Sequence, residues 1–382
     1  MISKLTLRER VLNTFAHKTI DKVVFSPRIY FWYIGNKLFQ KRRSEKDFPL
    51  NIPSQFVNKS QLEVYEYLGA SPRYADETLY MFLLETKFIQ DSNINVKTER
   101  GSKIDETITI FETPVGNLRQ VSSIGAGLTG HITDYPIKTI EDLKIIKYIL
   151  ENTEINFSQK NYEKAEKLFG NMGVVSTYMP RSPYQKLITQ FMGFTRTILF
   201  FKRYLSQMED FLKYVEACEN KLYDIIAKSP LKIVNFGENI DANLSSPPYF
   251  EKYLVPYYER KVKQIRRKDK YCHIHIDGSV KKLLPYLADL PFDGIEALTP
   301  EPQGDVTLEE LQEAIGNKIM LDGVPSILFL PEYSNDYVCE YAQKVLEMFA
   351  PNLILGVSDE LSPNGDIRKV EMLARMVEKF EP

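Results

Sequence analysis

Apolar residues change their spacing repeatedly along the second half of this chain. From about residue 170, short runs that are continuous or alternating in apolar character give way to longer stretches with apolar residues every three or four positions. The short runs NMGVVSTYM, LKIVNFGE, YCHIHIDG, DGIEALTP, KIMLDGV and NLILGVSDE read as strands. The stretches that follow them read as helices: the region from about 184 to 228, PPYFEKYLVPYYERKVKQIRR, SVKKLLPYLADL, VTLEELQEAIG, NDYVCEYAQKVLEMFA and DIRKVEMLARMVEKF. Thr307 and Glu310 have the spacing of a capping box at the start of one of them. Six strand-then-helix units in order over about 210 residues predict a parallel sheet. No G-x-G-x-x-G opens any unit, so a closed (β/α)₈ TIM barrel fits better than a doubly wound sheet.

The N-terminal third is less regular. Leu5, Leu7, Val11, Leu12 and Phe15 share one face of a short helix within residues 1–22. VVFSPRIYFWY reads as a strand running into an aromatic loop, and SQLEVYEYLGA as a helix in an otherwise mixed stretch from 34 to 72. TITIF and NLRQV alternate around TPVG, a hairpin pattern. Thr139 and Asp142 have capping-box spacing at the head of a helix over YPIKTIEDLKIIKYIL. VVFSPRIY and one further strand in this third would bring the strand count to eight. The expected architecture is therefore α/β, one barrel domain over 1–382, elaborated over about 34–135.

Composition changes this picture little. Of 382 residues, 43% are hydrophobic and 26% charged, and the net charge is −2, which offers no global attraction to nucleic acid or anionic membrane. Cys218, Cys272 and Cys339 are widely spaced, without a C-x-x-C pair, as in a reducing compartment. KLITQFMGFTRTILFF, the most apolar helix candidate, is broken by Arg196 and too short to span a bilayer. The N-terminus has no apolar core of a signal peptide, and a cytoplasmic protein is expected.

In a barrel, chemistry gathers at the C-terminal strand ends. These ends carry Tyr178, Arg181, Ser182, Glu238, Asn239, Asp241, His275, Asp277, Glu296, Thr299, Asp322, Ser358, Asp359 and Glu360. In YCHIHIDG, alternation puts His273, His275 and Asp277 on one side and Cys272, Ile274 and Ile276 on the other. The outer side faces helices, where imidazole and carboxylate would lose hydration without partners. His275 and Asp277 are thus candidates for chemistry at the mouth, with His273 supporting from below and Cys272 packing outside; His17 and His131 receive no role. His275, Asp277, Asp359 and Glu238 could hold a metal with an open position, or form a metal-free proton-transfer site. Arg28, Tyr178, Arg181 and Asn239 are candidates for binding substrate. Trp32, within the aromatic run Tyr30–Tyr33, either lines a pocket for a small aromatic or methylated substrate or seals the barrel.

Several stretches resemble the uroporphyrinogen decarboxylase superfamily, and its methyltransferase-like branch in particular. They are LTLRERVLNTFAHKTIDKVVF, TPVGNLRQ, DYPIKTIEDLKIIKYIL, SPPYFEKYLVPYYERKVKQI, HIDG, DGIEALTPEPQGDVTLEEL and ILGVSDELSPNGDIRKVEML. The resemblance implies a (β/α)₈ barrel with its pocket at the C-terminal mouth. It also implies methyl transfer between a small molecule and a thiol or a corrinoid carried by a partner protein, with zinc held by His-x-Cys and a later cysteine. Here HIDG keeps His275 but puts Asp277 in place of the first cysteine, and Asp359 falls about where the second would be. Zinc on His275, Asp277 and Asp359, with the Glu238 carboxylate as a fourth ligand, and loss of the metal altogether both stay open. In the decarboxylase branch, the resemblance implies an N-terminal R-Q-A-G-R motif that grips the substrate's propionates; at the comparable place SPRIYFWYIGNKL offers Arg28 alone. The alternatives to methyl transfer are a decarboxylase or lyase of a carboxylated substrate and a non-catalytic ligand-binding barrel.

Overall fold

Seven parallel strands form one sheet in the spatial order Val24–Phe25, Leu353–Ser358, Ile319–Pro325, Gly294–Glu296, Tyr271–Ile276, Ile233–Ile240 and Tyr178–Met179. From Tyr178–Met179 to Leu353–Ser358 each strand lies beside its neighbour in sequence, and Val24–Phe25 pairs with Leu353–Ser358, which is the winding of a TIM barrel. The computed structural model describes residues 4–41, 52–74, 83–103, 105–124, 130–266 and 270–382. Among these no eighth ladder closes the sheet. The remaining gap is flanked by residues 70–74: Ser71 N–H donates to Phe25 O at 2.8 Å, and Gly173 packs against Pro72 so closely that a Cβ would meet its carbonyl oxygen at 2.8 Å.

Strand parity sorts the side chains. Phe236, Cys272, Ile274, Met320, Leu353 and Leu355 point outward and join the helices in the main core. Each such fully buried side chain contributes about 1.5–3 kcal/mol. Inside, Val24, Val174, Ile233, Ile319, Leu321 and Ile354 fill the lower lumen. Val11 and Phe15 of the helix Leu7–Phe15 plug it from below. That helix opens with a capping box between Thr6 and Glu9. Above the apolar layer the lumen turns polar, and the site lies there.

The six expected strand-helix units are present, with differences that have local causes. Tyr30–Tyr33 open a helix, Tyr30–Lys41, rather than forming a loop. The Glu360 carboxylate accepts from Tyr30 N–H at 3.1 Å, satisfying a donor at the helix start. The region 184–228 is not one helix: a π-helical turn, Leu187–Phe191, ends before Gly193, and the chain restarts as Phe194–Arg203 and Leu205–Lys228. Gly193 has φ 75° and lies so close to Tyr135 that a Cβ would meet the ring at 2.7 Å. SVKKLLPYLADL yields only a 3₁₀ turn, Lys281–Leu283, and one helical turn, Leu284–Leu287. The tyrosine-rich helix runs Val255–Arg266, and its expected final residue, Arg267, lies outside the described residues.

The hairpin is Glu106–Thr113 with Gly116–Ile124, flanked by Asn95–Arg100 and Gly130–Asp134 in a four-stranded antiparallel sheet. Both capping boxes, Thr139–Asp142 and Thr307–Glu310, are formed. A small pair of strands, Leu84–Phe88 with Thr153–Phe157, was not expected from the sequence. Parts of the 34–135 elaboration and the first three residues lie outside the described residues.

Candidate functional site

The site is built on a buried charge layer. His275 pairs in register with Glu296 on the neighbouring strand, and its Nδ1 lies 2.8 Å from Glu296 Oε1. Glu296 is fully buried and also accepts from Arg73 Nη1 (2.8 Å), the Tyr74 hydroxyl (2.6 Å) and Asn235 Nδ2 (3.2 Å). Burial alone would raise its pKa; Arg28, Arg73 and the bond to His275 reverse this and hold it well below the usual carboxylate range. Asp322, at φ 89°, pairs with Arg73 and accepts from Ala297 N–H. Its pKa goes the other way, to about 6, through burial and the nearby Glu296 charge, which the arginines only partly offset.

The two arginines come from one repeated tripeptide. Ser26-Pro27-Arg28 and Ser71-Pro72-Arg73 lie on adjacent segments, and proline keeps each serine extended. Arg28 reaches higher than Arg73. Its Nη1 is 2.8 Å from Asp359, 3.4 Å from Glu296 and 3.9 Å from Asp322, and its Nε is 3.4 Å from Glu360. Its guanidinium also approaches the Tyr74 ring, 5.1 Å from the centroid. Four carboxylates around one guanidinium leave it no spare charge for a ligand.

At the rim, His275, Asp277 and Asp359 converge, with one donor atom from each within 4.8 Å of the others. The 2.8 Å contact to Glu296 sets Nδ1 as the protonated nitrogen of His275. Its Nε2 is buried, with no hydrogen-bond partner, and lies 3.5 Å from Asp359 Oδ1. Burial opposes the imidazolium, but the Glu296 bond and the Asp359 charge outweigh it and raise the pKa of His275. Asp277, whose pKa burial raises, accepts weakly from Asn239 Nδ2 at 3.5 Å. His275 and Asp359 open into a cavity of about 900 Å³ walled by Phe31, Tyr135, Tyr178, Arg181, Ile188 and Phe194 among others.

Residues 182–380, just over half of the chain, match the model of the family described as uroporphyrinogen decarboxylase (URO-D). The chain belongs to the URO-D family. A methyltransferase from Methanosarcina mazei is similar in structure over 98% of this chain and 99% of its own, with a TM-score of 0.59 and 14% identity. A B12-independent methionine synthase from Shewanella sp. W3-18-1, in complex with selenomethionine, is similar over 83% and 85%, with a TM-score of 0.44 and 13% identity. At 14% identity the likeness to the methyltransferase bears on the fold alone. No curated protein matches the chain.

Within this URO-D barrel, one expected site residue is turned away. Glu238 follows the parity of Phe236 and faces the helices; its two oxygens accept from Ser182 N–H and Ser182 Oγ, both at 2.7 Å. There it fixes the start of the helix Pro183–Lys186, and it does not join His275, Asp277 and Asp359. Trp32 is also withdrawn: it is 1% exposed, edge-on to Phe56, and it is Phe31 that reaches the cavity. Arg28, Tyr178, Arg181 and Asn239 do line the cavity, and so does His131, which had been given no role. His273 lies below, and burial lowers its pKa to about 4. Among the described residues no helix is long and apolar enough to cross a membrane.

Sequence reasoning missed Arg73, Tyr74 and Asn235, and had noted Glu296 and Asp322 only as strand ends. The signal for Arg73 was the second S-P-R. For Asn235 it was parity within IVNFGEN, which puts Asn235, Gly237 and Asn239 inside and Glu238 outside.

Proposed function

We propose that this chain is a metal-dependent methyltransferase, moving a methyl group between a small molecule and a thiol or a corrinoid carried by a partner protein. The observation that supports this is the buried Nε2 of His275, which has no hydrogen-bond partner and converges with Asp277 and Asp359 beside a large cavity that His275 and Asp359 line. The 3.5 Å separation of Nε2 and Asp359 Oδ1 is close to the edge of a tetrahedron with metal bonds of about 2.1 Å, roughly 3.4 Å. Glu296 behind His275 supplies the carboxylate–histidine support that orients a ligating imidazole. Asp277 and Asp359, on the open side, would complete the set. Zinc bound there would act as a Lewis acid that lowers the pKa of a thiol or other acceptor.

Two aspartates and a neutral imidazole carry the same formal charge as two thiolates and an imidazole. The donors are harder, so manganese, iron and cobalt compete better with zinc than at a cysteine site. The chain's own residues would hold the acceptor, exclude water through the aromatic wall, and keep His275 in one tautomer. Mixing the protein with methylcobalamin and a small thiol tests the reading by absorbance. Demethylation should accelerate with added zinc or cobalt and fall to the buffer rate after chelation and in Asp277→Ala. A buffer rate with every metal would sink it.

One observation favours a second reading. Arg28 Nη1 lies 2.8 Å from the same Asp359 oxygen that faces His275, so a fixed cation could stand in for the metal. The site would then transfer protons in a decarboxylase or lyase. Against a polycarboxylate substrate stands the wall itself: among the described residues it has two arginines and no lysine, and Arg28 is already surrounded by carboxylates. Chelated protein incubated with uroporphyrinogen should leave it intact; products with fewer carboxylates would favour this second reading.

A further inference from the structure

Among the described residues, Arg181 is a cation of the cavity wall whose charge no carboxylate compensates. Arg181 follows the strand Tyr178–Met179 and is held by two bonds, Nε to Gly237 O and Nη2 to Asn239 Oδ1, each 3.2 Å. Both acceptors are neutral, and among the described residues no carboxylate comes within salt-bridge distance of it. Glu238, the nearby acid, is turned to Ser182. These two bonds fix the plane of the guanidinium and leave Nη1 and the second N–H of Nη2 free, the fork that receives a carboxylate end-on. Arg28, by contrast, is neutralised.

Asn239 links this cation to the rim. It sits at φ 52°, a left-handed conformation that asparagine tolerates, and its amide faces both ways. Its oxygen accepts from Arg181 and its nitrogen donates to Asp277. The cavity that Arg181 lines has a mixed wall: Phe31, Tyr135, Ile188, Phe194 and Leu244 stand with the polar Thr189 and Gln190. A concave, partly apolar wall with one uncompensated charge concentrates anions of that shape.

We infer that Arg181 is an anion subsite, and that the small molecule bound in this cavity carries one carboxylate-like group on an apolar body. This rests on the proposed use of the cavity as the substrate site, and it names the substrate class. A single free arginine selects one anionic group, not several. Calorimetric titration of metal-free protein with 3-phenylpropanoate and with its neutral amide, 3-phenylpropanamide, tests it. The acid should bind at least about tenfold tighter than the amide, because a charge-assisted bidentate contact replaces a neutral one. This preference should shrink with added salt, vanish in Arg181→Gln and return in part in Arg181→Lys. Equal binding of acid and amide, binding of neither, or a preference that survives in a folded Arg181→Gln would overturn the inference. No metal or methyl donor is present in the titration, so a failed methyl-transfer assay and a failed titration are separate results.

Discussion

The layer around Glu296 and the rim around Asp277 differ by only a few ångströms in height and behave oppositely. In the lower layer Arg73, Tyr74, Asn235 and His275 all contact one fully buried carboxylate, so its charge is compensated and its geometry over-determined. At the rim the two aspartates are half-exposed, and Asp277 has one long contact to Asn239. The lower layer is a fixed base that aims His275. At the rim Arg28 holds Asp359 at 2.8 Å, and Asp277, with its one long contact, is the less constrained of the two. Stability should therefore depend on the first, and ligand affinity on the second.

The largest effect should come from removing the base. Glu296→Ala leaves two buried guanidiniums without their shared partner, and folding stability should fall by about 3–5 kcal/mol in urea titration. Glu360 gives the next. Burial raises its pKa to about 7 despite Arg28, from a usual 4.5. A carboxyl protonated more readily in the folded state stabilises the fold below pH 4.5, and that contribution is lost as pH rises through 7. Glu360→Gln should remove this decline, a change of up to about 3 kcal/mol between the two pH values. At the rim, Asp277→Asn should change stability by no more than about 0.5 kcal/mol. Its metal affinity should nonetheless drop on the order of 100-fold, measured by competition with a chromophoric chelator. If stability falls as much there as for Glu296→Ala, the two layers are not distinct. The smallest effect belongs to Trp32→Phe: about 1–2 kcal/mol from the cavity left beside Phe56, with cavity ligands bound as before.

Strand period made the barrel and the lumen-facing row of YCHIHIDG legible, because alternation against a helix-covered outer face permits only one side for imidazoles. The same rule applied to IVNFGENI turns Glu238 outward; its acidity had outweighed its parity. Trp32 failed for another reason, since nothing local distinguishes an aromatic run that opens a helix from one that lines a pocket. The cap that decides it, Glu360, is more than 300 residues away. Arg73 and Tyr74 stand in a segment that pairs with its neighbour through one backbone bond, too short to show a strand period. The convergence of Asp277 with Asp359 depends on register across the whole sheet, which no local pattern carries.

The central claim is that His275, aimed by Glu296, binds one divalent metal with Asp277 and Asp359. Elemental analysis of purified protein after dialysis against zinc, beside His275→Ala treated identically, tests it most directly. The account predicts close to one metal per chain in the wild type and almost none in the variant, with both folded by circular dichroism. Metal-free wild type, or equal metal in the two proteins, would contradict it.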